Sequence, residues 1–165
     1  MQFRTILLAG AMLALSSCDT ILPPPAPPPG PIAPATVSTL TLSTATKDPF
    51  GTYVTDGAGR SLYSLEGTRG GSGINRCSGA CLGVWPPLAA PALPTAGSGL
   101  SPPALRTTSG YRGAQISYSG WPLYYYHHDR VPGDTTGQGV RDAWGTWYLL
   151  RSDGEPVRPG GSAPY

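Results

Sequence analysis

The pattern Gly-x-x-Leu-Tyr occurs twice in this chain, as Gly59-Arg-Ser-Leu-Tyr63 and as Gly120-Trp-Pro-Leu-Tyr124. A shift of 61 residues overlays the two copies, and one residue more overlays Trp85-Pro-Pro-Leu88 on Trp147-Tyr-Leu-Leu150. Such self-similarity marks an internal duplication of a unit too small to bury an apolar face alone, so the two copies are expected to build one core together.

Each copy reads as a hairpin. Gly51-Thr-Tyr-Val-Thr55 and Ser61-Leu-Tyr-Ser-Leu65 flank Asp56-Gly-Ala-Gly59, while Ala114-Gln-Ile-Ser-Tyr118 and Trp121 to Tyr126 flank Ser119-Gly120. Short β-favouring runs separated by glycines are the signature of hairpins. A further hairpin joins Leu105–Thr108 to Ala114–Tyr118, and Val37, Leu40 and Leu42 set among Thr and Ser suggest an earlier strand. Residues 89–104, with Pro91, Pro94, Pro102 and Pro103, read as a connector. The expected architecture is all-β: a small antiparallel sheet domain over residues 40–152 made of two degenerate hairpin repeats, about 50–88 and 112–150, with 153–165 as a disordered tail.

Composition supports one small ordered domain. Gly (23) and Pro (20) make up about a quarter of the 165 residues, which leaves a limited core. A formal net charge of +2 on scattered arginines implies no nucleic-acid partner.

Residues 1–17 have the form of an export signal, with Arg4 in the charged region, an apolar run from Ile6 to Leu15, and small residues after it. Leu15-Ser16-Ser17-Cys18 resembles the lipobox of bacterial lipoproteins, in which the cysteine is acylated and becomes the new N-terminus. Several acyl chains anchor stably where one is marginal, at about 0.8 kcal/mol per buried methylene. Asp19 resembles an inner-membrane retention signal and leans the expected location to that membrane. Residues 18–39 are rich in proline and read as a stalk in polyproline II conformation.

The second copy carries Tyr124-Tyr-Tyr126-His-His-Asp129, then Pro132-Gly-Asp134, Gly137-Gln-Gly139 and Trp144. The first carries Cys77-Ser-Gly-Ala-Cys81 ahead of Val84-Trp85-Pro86-Pro87. Together these resemble the bacterial predicted lipoproteins with a Tyr-x-aromatic-x-x-Asp motif, a secreted repeat of unknown function. The motif is degraded in the first copy, where Leu65 replaces the aromatic and Thr68 the aspartate. The resemblance implies an envelope protein and no activity, and the degraded copy argues against two equivalent sites.

Several residues could carry chemistry. With Cys18 lipidated, Cys77 and Cys81 remain in an oxidising compartment, where a disulfide is the default. The alternative is a soft-metal or redox site, since two thiolates with an imidazole suit copper or zinc and resemble the ligand set of the Sco copper chaperones. Those chaperones carry a thioredoxin fold, which the order of elements here does not support. Strand alternation through the opening of the second copy would put Tyr124, Tyr126 and His128 on one face and Tyr125, His127 and Asp129 on the other, with His127 and Asp129 outward if Tyr124 faces the core. Asp129 and Asp134 lack the spacing of a calcium loop and are expected to bond backbone amides in turns. The aromatics are expected to build a Tyr-rich core. No nucleophile–base constellation is present, so a non-enzymatic role is expected.

The sequence reading is therefore a lipid-anchored bacterial envelope protein acting as a binding or scaffolding module without a cofactor, tethered to the membrane and engaging an envelope protein or glycan. Its candidate binding residues are Tyr124, Tyr126, His127, His128 and Asp129. The alternative is a periplasmic copper-handling or redox accessory protein using Cys77 and Cys81.

Overall fold

The structure is a computed structural model that describes residues 40–71, 77–110 and 113–160. The export signal, Cys18, Asp19 and the stalk lie outside the described residues.

Among the described residues, nine strands form three small sheets. β1 (Thr41–Lys47), β2 (Gly51–Asp56) and β4 (Thr95–Ala96) make one, in the order β2-β1-β4. β3 (Tyr63–Leu65), β8 (Arg141–Asp142) and β9 (Gly145–Leu149) make the second, in the order β3-β9-β8. β5 (Leu105–Gly110), β6 (Gly113–Tyr118) and β7 (Trp121–Pro122) make the third, in chain order. A four-residue helix, α1 (Cys81–Val84), precedes Trp85. The all-β class read from the sequence holds.

The duplication is visible in three dimensions, and its unit is larger than the repeats at 50–88 and 112–150. β1 and β2 pair from Leu42↔Asp56 to Lys47↔Gly51, and β5 and β6 pair from Leu105↔Tyr118 to Gly110↔Gly113. These are equivalent hairpins, so the halves run over about 41–88 and 104–150. The sequence hid this part because β1 and β5 share a single large apolar position, Leu42 and Leu105, among residues that otherwise differ or are small and β-branched.

The two halves exchange strands. Val54 N donates to Leu150 O and Leu150 N to Leu62 O, while Ile116 N donates to Leu88 O and Leu88 N to Leu123 O. The hairpin of each half is thus completed by the Trp-x-x-Leu segment of the other. At the centre, Tyr63 N donates to Tyr124 O at 2.8 Å and Tyr124 N to Tyr63 O at 2.9 Å. That reciprocal pair is the closed pairing of antiparallel chains, here joining the two repeat-matched tyrosines across a pseudo-twofold.

The core follows the same symmetry and divides into two clusters. Leu42 and Leu105, Val54 and Ile116, Leu62 and Leu123, and Leu88 and Leu150 fill an aliphatic cluster as matched pairs. Each such side chain contributes about 1.5–3 kcal/mol when removed from water. Tyr63, Trp85, Tyr124 and Trp147 fill the other, in which Trp85 and Trp147 stack with centroids 4.0 Å apart and planes 9° from parallel. The Tyr-rich core is as expected: the largest fully buried side chains are Trp85, Trp147, Tyr53, Tyr63, Tyr118 and Tyr124.

Two expectations change. Residues 89–104 are more than a connector, because β4 pairs in parallel with β1 and Leu100 is buried. Residues 153–160 are ordered rather than part of a disordered tail: Arg151 N donates to Glu155 O, Val157 N donates to Leu149 O, and Pro156 is buried. Pro and Gly suggested disorder there, but Asp153 accepts Glu155 N at 2.9 Å and folds the chain back onto β9.

Candidate functional site

The Tyr126–Asp129 segment is a turn, not a strand. Regular pairing ends with Trp121–Pro122 in β7, the backbone is bridged once more at Tyr124, and Asp129 N then donates to Tyr126 O at 3.1 Å. Strand alternation therefore fails beyond Tyr124, and the outward placement of Asp129 is corrected. The turn swings its carboxylate inward, where Asp129 Oδ2 accepts the Tyr63 hydroxyl at 2.6 Å. Asp129 Oδ1 accepts Thr136 N at 2.9 Å and Thr136 Oγ1 at 2.6 Å.

A second carboxylate lies in the same cluster. Asp142 Oδ2 accepts Trp85 Nε1 at 2.8 Å, and its Oδ1 accepts Trp144 N and Gly145 N in the β8–β9 hairpin. Tyr126 stacks on Trp85 at 4.3 Å, and Tyr63 meets both rings edge-on. Gly137 closes the cluster and donates its N–H to Tyr63 Oη at 3.3 Å. A Cβ there would stand 2.9 Å from Tyr63 Cζ and 3.0 Å from both Trp85 and Tyr126, so only glycine allows this approach.

Strand exchange decides who serves whom. Both ring donors, Tyr63 and Trp85, come from the first half, and both carboxylates, Asp129 and Asp142, come from the second. The reciprocal donors are Tyr124 and Trp147, and the positions matching the carboxylates hold Thr68 and Ala80, the latter five residues before Trp85 as Asp142 is five before Trp147. Thr68 is fully buried and donates to Leu65 O at 2.7 Å. Tyr124 meets the Gln115 amide, and Trp147 Nε1 makes no hydrogen bond among the described residues.

The electrostatics match the geometry. Burial, then the Asp129 carboxylate, raises the Tyr63 phenol far above its ordinary value. Burial, then Asp129 and Asp142, raises Tyr126, whereas Tyr124 is raised by burial alone. Tyr125 turns away from this cluster: its hydroxyl donates to Asp56 Oδ2 at 3.0 Å under the Arg60 guanidinium, and burial with Asp56 raises its phenol. These phenols stay protonated at neutral pH, and those of Tyr63 and Tyr125 act as hydrogen-bond donors to carboxylates.

His127 and His128 sit side by side in the turn, ring centroids 3.6 Å apart and beside Tyr126. His128 is exposed, and His127 Nδ1 is buried without a partner among the described residues. Among those residues no group of three or more His, Cys, Asp or Glu side chains is placed to hold a metal ion.

Cys77 and Cys81 stand at disulfide distance, with S–S 2.02 Å and Cα–Cα 5.1 Å. They lie outside the carboxylate cluster and hold the turn that delivers Trp85, whose N donates to Cys81 O at 2.7 Å. The second half pins Trp147 differently, through the Asp142 turn. Asp134 fulfils its expected role: its Oδ2 accepts Arg130 N at 2.7 Å and Val131 N at 3.0 Å, and these two amides hold its carboxyl below the usual range.

Of the candidate residues, Tyr126, His127, His128 and Asp129 come together with Tyr63, Trp85 and Asp142, while Tyr124 lies on the opposite side of the exchange as framework. Asp142 was not singled out in the sequence. The signal for it was an acid five residues before one repeat-matched tryptophan and an alanine before the other.

Residues 108–151 match the family described as a secreted repeat of unknown function. The match falls on the second half, the one with the complete Tyr-x-aromatic-x-x-Asp motif and both carboxylates. No curated protein and no solved structure matches the chain. Among the described residues no helix is long and apolar enough to cross a membrane.

Proposed function

We propose that this is a lipid-anchored protein of the bacterial envelope whose β domain is a rigid, non-catalytic binding module. One observation carries the non-catalytic part: the aspartates of the cluster and its surroundings are committed to holding the chain. Asp56, Asp129, Asp134, Asp142 and Asp153 each accept at least one backbone N–H, and Asp129 and Asp142 also hold buried ring donors. A general base needs a carboxylate or imidazole facing a substrate; these face the frame. The copper or redox alternative finds no support in a cysteine pair at disulfide distance.

The face presented to a partner is the turn from Tyr126 to Val131 in the second half. His128 and Arg130 are exposed there, and Val131 is 59% exposed, more than the other large apolar side chains among the described residues. An exposed aliphatic residue beside the Arg130 guanidinium suits an envelope protein with an apolar, acidic patch.

The test uses the protein with His128→Ala or Val131→Asp and measures retention on solubilised envelope protein and, separately, on purified peptidoglycan. Retention on envelope protein that both substitutions abolish at unchanged melting temperature supports the reading. Retention that neither alters, or on peptidoglycan alone, contradicts the assigned face and partner. Cys18→Ala should move the protein from the membrane to the soluble fraction; a variant that stayed bound would sink the anchor.

A further inference from the structure

A cleft of about 390 Å³ lies between the β1–β2 turn, the Gln138–Gly139 segment and the C-terminal stretch after β9. Its volume is at the lower end of small-ligand sites. Pro49, Phe50, Val157 and Pro159 supply apolar wall, and Arg151 and Arg158 are the charged residues that line it. The residues of the Tyr126–Val131 face do not contribute.

The arginines are what the fold does not ask for. Arg151 bridges Tyr53, and the pseudo-symmetric bridge pairs Ala89 with Gln115, so alanine suffices at the matching position. The equivalent surface of the first half, around Ala89, Ala90, Pro91 and Ala114, carries no charged residue. Each guanidinium also holds its local acid through Nε: Arg151 contacts Asp153 at 3.2 Å, and Arg158 contacts Glu66 at 3.5 Å. Neither arginine makes a hydrogen bond through its Nη groups among the described residues, which leaves planar donor pairs for a further acceptor.

The remaining polar side chain of the wall is engaged at both ends. Gln138 Nε2 donates to Val157 O at 2.6 Å and its Oε1 accepts Leu149 N at 2.7 Å, which fixes the C-terminal stretch as one side of the cleft. The wall is therefore held by hydrogen bonds before any ligand arrives.

We propose that this cleft binds a small organic carboxylate with an apolar body, the carboxylate on the Nη groups of Arg151 and Arg158 and the body against Phe50 and Val157. A planar acceptor matches the guanidinium fork, and the apolar wall favours a hydrocarbon over a bare ion.

The test is calorimetric titration of the full chain with benzoate and hexanoate, against benzamide, hexanamide and inorganic phosphate. The expected result is saturable one-to-one binding of at least one carboxylate, with its amide and phosphate weaker by about tenfold or more. Arg158→Gln should weaken the carboxylate by about tenfold while leaving the melting temperature in place, and Phe50→Ala should weaken it by a similar factor in a protein that still melts cooperatively. Arg158 is exposed and Phe50 only partly buried, so both variants are expected to fold. Absence of saturable carboxylate binding, equal binding of the amide, phosphate binding that matches the carboxylate, or binding that both substitutions leave intact would each overturn the proposal. None of these outcomes bears on the Tyr126–Val131 face.

Discussion

The two sides of the aromatic cluster started as copies and now differ in kind. On one, Tyr63 and Trp85 donate to Asp129 and Asp142, with Tyr126 and the two histidines beside them. On the other, the matched rings are Tyr124 and Trp147, and the positions that match the carboxylates hold Thr68 and Ala80. Backbone exchange is the same on both sides, so the fold does not require the carboxylates. The difference is that one side holds its rings through carboxylates and the other does not.

The comparison can be strained first at what both sides share. Trp85→Ala or Trp147→Ala removes half of the central stack and leaves a cavity between the halves, at a cost of about 3–5 kcal/mol in chemical denaturation. A loss below about 1 kcal/mol from either would mean that the stack does not join the halves.

Because the disulfide holds the turn that delivers Trp85, reductant should reach the carboxylate side as well. Replacing both cysteines with serine is expected to cost about 2 kcal/mol on the chain-entropy account, visible as a lower denaturation midpoint. Trp85 N donates to Cys81 O, so tryptophan fluorescence should shift on reduction; an unchanged spectrum would mean that the disulfide does not position Trp85.

The carboxylate side should announce itself in alkali. The Tyr63 phenol is raised in the folded state, so its contribution is fully present below the ordinary tyrosine value near 10 and is lost as pH climbs from there toward the higher folded value. The slope is at most about 1.4 kcal/mol per pH unit for this residue, measurable as midpoint against pH between about 9 and 11.5. Tyr63→Phe should remove this residue's share of the slope; an unchanged slope would show that the Tyr63 phenol ionises alike in the folded and unfolded chain.

The parts legible in the sequence were those marked by large side chains. Tyr63 and Tyr124, Trp85 and Trp147, and Leu88 and Leu150 aligned the repeats because a core tolerates little variation at such positions. The exchange of strands was not legible, since a repeat pattern states what is equivalent and not which copy pairs with which. β1 and β5 escaped alignment because one matched leucine in each, Leu42 and Leu105, is too little to set a register. The Tyr126–Asp129 turn was misread as strand because Tyr-Tyr-Tyr is a strong β signal, and the pairing of Asp129 with Tyr63 depends on a contact 66 residues away.

The most direct measurement compares Tyr63→Phe with Tyr124→Phe by equilibrium denaturation, since each removes one hydroxyl from a repeat-matched position. Tyr63→Phe deletes a hydrogen bond to a carboxylate and should cost about 1.5–3 kcal/mol, while Tyr124→Phe deletes a neutral contact and should cost about 1 kcal/mol or less. Equal losses, or a larger loss at Tyr124, would contradict the account that the polar site belongs to one side alone.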